Sequence, residues 1–560
     1  MSTPARTLEP VSFTQVRLDD PFWAPRQEAN RAVTIPHVYE WCKRTDHIAA
    51  WDLCWRPGDP NPPHIFWDSD VAKWIEAASY SLATRYDSRL DAQLDDLMGK
   101  IAGAQRPDGY LNTHYIAVEP DKRWTNLRDG HELYCAGHLI EAAVAHYQAT
   151  GKRALLDVAC RYADHIDAQF GREPGKKRGY CGHEEIELAL VKLYHATGEP
   201  RYLRLAQYFV EERGQSPHYF DLEARARGED PAQFQFKDYA YMQAQVPVRQ
   251  QRGVVGHAVR AMYLYSAMAD LARETGDIEL LQVCERLWHH LCSKRLYVTG
   301  GLGSSASNEG FTADYDLPDE TAYAETCAAI GLVFWSQRML HLTGDGQYTD
   351  VMERALYNGV LSGVSLDGRR FFYANPLASR GDHHRQEWYE CACCPTNMAR
   401  LMGSVGGYFY SQGETEAWVH LFAQGEGRLE VNGREVVLQQ ITAYPWDGTV
   451  KIKVGLSSPL TFTLHVRVPA WCEDWRLYVN AVSLPLTRDK GYLHLTREWR
   501  PSDEMVLRMA MPVRYVYAHP NVRQTLGRLA LQRGPMVYCL EGVDHGSIYL
   551  DRIALSLIHI

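Results

Sequence analysis

The feature that most constrains this chain is a phrase that recurs from about residue 65 to residue 410: a polar side chain, an apolar helical run, usually Thr-Gly, then a second helical run. The Thr-Gly pairs stand at Thr150-Gly151, Thr197-Gly198, Thr275-Gly276 and Thr343-Gly344. A glycine just past a helix supplies the left-handed cap that ends it, so each pair predicts the elbow of an αα-hairpin. Upstream of these elbows, His131, His183, His257 and Glu325 each precede a run with apolar residues at helical spacing; after His131 these are Leu139, Ile140, Ala143, Val144 and Tyr147. Two fainter copies open with Asp68-Ser69-Asp70 and with Cys391-Ala392-Cys393-Cys394, the second followed by Pro395, which a first helical turn accepts. Six sequential hairpins can close into an (α/α)6 barrel whose inner helices start on one rim. Asp68, His131, His183, His257, Glu325 and the cysteine cluster are then expected to converge there. Each opener taken singly reads equally well as a helix cap, but histidine is not a preferred cap and it recurs three times.

After residue 411 the period changes. Val450, Ile452 and Val454, then Phe462, Leu464, Val466 and Val468, alternate with polar or small residues, and Asn432-Gly433 sits between short β-like runs as a hairpin turn. The expected fold class is therefore mainly α with β structure at the carboxyl end. We read an (α/α)6 catalytic barrel over 1–411, a β-sandwich over 412–513, and over 514–560 the start of a further β domain that is cut short. Leu555-Ser556-Leu557-Ile558-His559-Ile560 is what a sequencing adapter would encode if translated, and is set aside as foreign to the fold.

The 560 residues, 46% hydrophobic and 23% charged, have a globular composition with ample material for a core. Lys+Arg 59 against Asp+Glu 69 gives a net charge of -10 without any Lys/Arg-rich block, which argues against nucleic acid or an anionic membrane as partner. No stretch reaches the ~18 apolar residues of a membrane span. The opening MSTPARTLEPVSFTQVRLDD lacks the apolar run of a secretory signal, so a cytoplasmic location is expected. In that compartment the thirteen cysteines are expected as thiols, metal ligands or nucleophiles rather than disulfides.

Cys391-Ala392-Cys393-Cys394 and Glu325-Thr326-Cys327 head neighbouring repeats and together offer a mixed thiolate and carboxylate set suited to tetrahedral zinc, Zn2+. A helix N-terminus at the cluster favours thiolate. A structural zinc, a disulfide and inert buried thiols are the competing readings. Glu309 lies in a Gly/Ser-rich loop sixteen positions before Glu325 and can serve as a general acid, but Asp314, Asp316, Asp319 and Glu320 compete with it.

HELYCAGHLIEAAVAHYQATG, GHEEIELALVKLYHATG, DETAYAETCAAIGLVFWSQRML and CACCPTNMARL, followed by VRVPAWC and GRLALQRGPMVYCLEG, resemble in the same order the bacterial β-L-arabinofuranosidases of glycoside hydrolase family 127. The likeness runs from about residue 10 to residue 545. It implies an (α/α)6 barrel followed by β-sandwich domains, and a zinc-dependent retaining hydrolysis of terminal β-L-arabinofuranosides. By motif position Cys393 resembles the nucleophile, and Glu325, Cys327, Cys393 and Cys394 the zinc ligands. Glu309 resembles the acid/base, while His131, His183, His257 and Tyr373 match sugar-contacting positions. An arabinofuranose-containing oligosaccharide or glycoconjugate is the implied partner, and a homodimer is the assembly we expect. One departure concerns the acid/base loop, Ser307-Asn308-Glu309, where the family commonly has Gly before the glutamate; Asn308 is expected to take over its positive φ. The alternatives are a related furanosidase or an inverting (α/α)6 glycosidase using two carboxylates, and a non-catalytic sugar-binding protein with structural zinc.

Overall fold

The structure is a computed structural model that describes residues 8–546 and 549–554; the hexapeptide 555–560 lies outside the described residues. Six helices open within three residues of the expected polar residues: Trp67–Thr84, Glu132–Thr150, Ile186–Thr197, Ala258–Thr275, Thr326–Thr343 and Cys393–Ser404. Each packs against the next along the chain and the last packs against the first, so the six close into a ring. They are apolar on nearly every face and accordingly buried all round, as residues 132–146 show. Ser88–Ala104, Ala154–Gln169, Pro200–Glu212, Ile278–Lys294 and Gly346–Arg354 return on the outside and bury one stripe each, such as Leu94, Leu97, Met98 and Ile101. The Thr-Gly elbows form as expected: Gly151, Gly198, Gly276 and Gly344 take left-handed φ of 71°, 73°, 67° and 65°.

The sixth repeat departs from the hairpin count. After Cys393–Ser404 the chain makes a short turn at Val405–Tyr408 and enters a strand at Tyr410 rather than a second helix. Gly403, Gly406 and Gly407 cluster at that point and weaken helix propagation. The outer position is filled from the other end of the chain. Trp23–Ala29 and Ile35–Arg44, joined by the π-helical turn Asn30–Thr34, pack on it, and Asn30 Nδ2 donates to the Ala399 carbonyl at 2.9 Å.

Beyond residue 409 the strands form a seven-stranded and a five-stranded sheet. The alternation read from sequence is real: Val450, Ile452 and Val454 are buried along Thr449–Gly455, and Phe462, Leu464 and Val466 along Leu460–Arg467. Asn432 and Gly433, with φ of 52° and 66°, turn the hairpin between Gly425–Val431 and Arg434–Thr442. Two short amino-terminal strands, Glu9–Pro10 and Val16–Leu18, complete one edge of each sheet. Val513–Val516, Ala530–Arg533 and Met536–Tyr538 form a separate three-stranded sheet. Fully buried Arg467 of the β region donates to Glu353 of the outer helix Gly346–Arg354, fastening the sheets to the helical ring. No helix among the described residues is long and apolar enough to cross a membrane.

Candidate active site

Glu325 sits at the N-terminal end of one inner helix, Cys327 lies in its first turn, and Cys393-Cys394 begin the inner helix that follows around the ring. The ligand atoms of these four residues all lie within 4.8 Å of one another. Cys327 Sγ is 3.3 Å and Cys393 Sγ 3.9 Å from Cys394 Sγ, and Glu325 Oε1 is 3.6 Å from Cys393 Sγ and 3.7 Å from Cys394 Sγ. A tetrahedron of thiolates ~2.3 Å from a zinc ion has edges of about 3.8 Å, so the set has the size such an ion needs. Glu325 is 1% exposed and its Oε2 has no hydrogen-bond partner among the described residues. Burial, then the neighbouring Cys393 and Glu309, push its carboxyl well above the usual carboxylate range. Burial would raise Cys327 as well, but hydrogen bonds from Cys393, Cys394 and Asn397 bring it down to about 7. Three sulfurs and a carboxyl group are gathered out of water with no cation paired to Glu325 among the described residues, and the donor set fits a thiophilic dication.

Glu309 is delivered by a two-stranded contact in which Gly256–His257 pairs with Gly310–Phe311 and His257 stands opposite Gly310. A Cβ at Gly310 would lie 1.8 Å from the Gly256 carbonyl oxygen, so only glycine permits that approach. Positive φ falls on Glu309 itself, at 49°, and not on Asn308. This corrects the expectation for Asn308, whose side chain instead donates to the Phe311 carbonyl at 2.8 Å and closes the turn. A glutamate in the left-handed region costs about 1–2 kcal/mol, strain of the kind that collects at functional sites. Its carboxylate accepts from Tyr241 at 2.6 Å and Tyr323 at 3.3 Å, and His257 Nε2 lies 3.4 Å away. Desolvation opposes ionisation, but His257, Tyr241 and Arg260 outweigh it and hold the carboxyl at about 2. The competing acids are engaged elsewhere: Asp314 with Lys294 and Arg295, Asp316 with Thr312 and Gln524, Asp319 with Arg528, Glu320 with Arg380.

The three histidine openers meet in a row. The His131 and His183 rings are 5.9 Å apart and those of His183 and His257 5.4 Å. Burial and the nearby Arg260 hold His131 down to about 3 and His183 well below the usual range, so both are neutral. His131 Nδ1 faces the Asp129 carbonyl at 2.6 Å and His183 Nδ1 the Glu184 carbonyl at 3.0 Å. A carbonyl only accepts, so both Nδ1 atoms carry the proton and each Nε2 is left as an acceptor. His257 is the opposite case. Its Nδ1 caps its own helix, accepting from the Val259 and Arg260 amides at 3.1 and 3.4 Å, so its Nε2 bears the proton and points at Glu309. Histidine caps here after all, and still presents a donor. Tyr373 places its hydroxyl 3.1 Å from Cys393 Sγ and 3.7 Å from Cys391 Sγ, with Tyr323 packed beside it. Asp68 turns away from this group: its buried carboxylate accepts from the Thr113 amide at 2.8 Å and hydroxyl at 2.6 Å.

Residues 15–407 match the family model described as β-L-arabinofuranosidase, GH127 catalytic domain; 416–511 match the GH127 middle domain and 513–558 the family 127 C-terminal domain. The chain belongs to glycoside hydrolase family 127. This glycoside hydrolase is 37% identical to a non-reducing end β-L-arabinofuranosidase of Bifidobacterium longum subsp. longum, over 96% of this chain and 88% of that one. It superposes on a family 127 β-L-arabinofuranosidase from Geobacillus stearothermophilus T6 with a TM-score of 0.91 at 49% identity, covering 94% of this chain and 86% of that one. A second solved family 127 β-arabinofuranosidase matches with a TM-score of 0.90 at 38% identity, over 97% and 87% of the two chains. Reading the family 127 sequence by itself passed over Tyr241, Tyr323 and Asn397. Tyr323 and Asn397 lie inside the motifs DETAYAETC and CACCPTNMARL, whereas Tyr241 sits in the short 3-10 turn Ala240–Met242, with no period to mark it.

Proposed function

We propose that this enzyme releases terminal β-L-arabinofuranose units with retention of configuration, Cys393 acting as nucleophile and Glu309 as acid/base. The observation that carries this reading is the approach of Glu325, Cys327, Cys393 and Cys394 to within 4.8 Å of one another, beside a glutamate held by Tyr241, Tyr323 and His257. A zinc ion held by those four residues would keep Cys393 as thiolate at neutral pH and supply charge for its attack.

His131 and His183 accept from furanose hydroxyls through Nε2, and neutral rings suit that task because no charge must be buried with the sugar. Tyr373, in contact with Cys393 Sγ, orients the sulfur toward the anomeric carbon. The sulfur–carbon bond forms as the glycosidic carbon–oxygen bond breaks, and Glu309 passes its proton to the departing oxygen. Water then attacks from the vacated side; Glu309 takes its proton, the sulfur–carbon bond breaks, and Cys393 leaves as thiolate. Two inversions give retention. In the sugar-free site Glu309 is the carboxylate, the form the second half needs, so the first half requires it to gain a proton as the glycoside displaces Tyr241 or His257.

The reading is tested with chromogenic β- and α-L-arabinofuranosides and with NMR of the first sugar released. Hydrolysis of the β anomer with the β sugar appearing first is expected; an α product formed first would discard the thiolate mechanism in favour of two carboxylates and a water. A homodimer and cytoplasmic residence complete the reading, and sedimentation and cell fractionation test them.

A further inference from the structure

Cys327 contributes its sulfur from the first turn of an inner helix, and the group that touches this sulfur from below is an amide. Asn397 Nδ2 lies 3.0 Å from Cys327 Sγ. An amide can present either its donor or its acceptor end, and which end faces the sulfur decides what the contact does. Arg400 decides it. Its Nε donates to Asn397 Oδ1 at 2.7 Å, and a guanidinium has no acceptor, so the carbonyl end must face Arg400 and the NH2 end the sulfur. The second amide hydrogen reaches the Tyr263 hydroxyl at 3.1 Å, which also accepts from Arg400 Nη2 at 3.1 Å. Arg400 is itself fixed, because its Nη1 donates to Glu76 Oε2 at 2.9 Å and Glu141 Oε2 at 2.6 Å. Asn397 is 1% exposed and Arg400 2%, so water does not compete for these bonds.

We propose that Asn397 is a positioning residue for the metal centre: its N–H orients the Cys327 sulfur and stabilises it as a ligating thiolate, while Arg400, braced by Glu76 and Glu141, sets the direction of that amide. This rests on the reading of Glu325, Cys327, Cys393 and Cys394 as a metal site. An N–H bond to a thiolate draws electron density from the sulfur, holds its rotamer and lowers the cost of its charge. The remaining ligands, Cys393 among them, then meet the ion in a geometry set from beneath rather than by the loop alone.

The test is cobalt(II) titration of the full chain and of Asn397→Asp and Asn397→Leu. The aspartate keeps the acceptor that Arg400 needs, removes the donor and adds a negative charge beside the sulfur, whereas the leucine removes the donor without adding charge, so an effect shared by both reports the lost N–H bond. Wild-type protein is expected to bind cobalt with a sulfur-to-cobalt charge-transfer band. In both variants that band moves to lower energy and cobalt binds about 10- to 100-fold more weakly, the effect usual for lost outer hydrogen bonds at metal ligands. A normal wild-type band with an unmoved band in the variants, and affinity within about twofold, would overturn the role of Asn397 and leave the metal reading standing. No thiolate band in the wild type would sink both. Should neither variant fold, wild-type protein loaded with cadmium-113 and labelled at asparagine nitrogen decides it. A scalar coupling from cadmium to one side-chain amide proton supports the bond, and its absence refutes it.

Discussion

Two buried groups in this ring bring metal-type ligands within 4.8 Å of one another: Glu325, Cys327, Cys393 and Cys394 at the rim, and a second made of His138 and Glu141, about two helical turns into Glu132–Thr150, with Glu185. Composition alone would nominate both. Their surroundings separate them. Glu141 accepts from Arg400 and from Lys192, Glu76 also accepts from Arg400, and His138 Nδ1 lies 3.1 Å from Glu185. Burial and the adjacent Glu141 push Glu185 well above the usual range, so it keeps its proton, while burial, Lys73 and Arg400 keep His138 neutral. Two carboxylates are thereby matched by two fixed cations, and no further ion is called for. At the rim the sulfurs touch Tyr373 and Asn397, neutral groups, and the buried Lys73 whose charge reaches Cys393 and Cys327 is already paired with Asp70. A buried ligand cluster points to a metal when the protein has not already supplied the countercharge.

The difference can be broken at either end. Cys393→Ala at the rim should lower kcat by about ten-thousandfold or more while the chain stays folded, as loss of a nucleophile does, measured on a chromogenic arabinofuranoside. Arg400→Met in the inner group leaves Glu76 buried without its cation and Glu141 with Lys192 alone, and should cost about 3–5 kcal/mol of stability in denaturant titration. Glu325→Gln, which replaces a carboxyl that burial pushes toward its neutral form, should leave the metal-free protein no less stable and weaken metal binding by about 10- to 100-fold. Tyr241→Phe removes a donor that holds Glu309 at about 2, so the carboxyl should rise. A group whose pKa rises keeps its proton to higher pH, so the limb of kcat/KM set by Glu309 should move upward by about one pH unit, the worth of one charged hydrogen bond. The smallest effect belongs to neither group. Gly198→Ala meets open space but must hold φ of 73°, and should cost about 1 kcal/mol without altering activity.

Much of this architecture was legible along the chain because its signals are local. A Thr-Gly elbow, an apolar run of helical period and an alternating strand each declare themselves within a dozen residues or so, and four of the polar openers share one place in successive repeats. What escaped depends on distant pairing. The outer cover of the sixth repeat comes from residues 23–44, and the short strands at residues 9–10 and 16–18 carry too few positions to show alternation. Glu141 and Arg400, separated by 259 positions, read separately as misplaced charges in apolar helices. Asn397 carries no local signal, because its partner Cys327 lies 70 positions away. Of the five acids only Glu309 is held by a contact between Gly256–His257 and Gly310–Phe311, which is too short to be recognised as strands.

The central claim, that Cys393 carries the sugar, is tested most directly by intact-mass and peptide mapping after treatment with an electrophilic β-L-arabinofuranose analogue. One adduct per chain on the peptide bearing Cys393, lost when the metal is chelated away, is the predicted result. An adduct on Glu309, Glu325 or another carboxylate, with Cys393 unmodified, would contradict it.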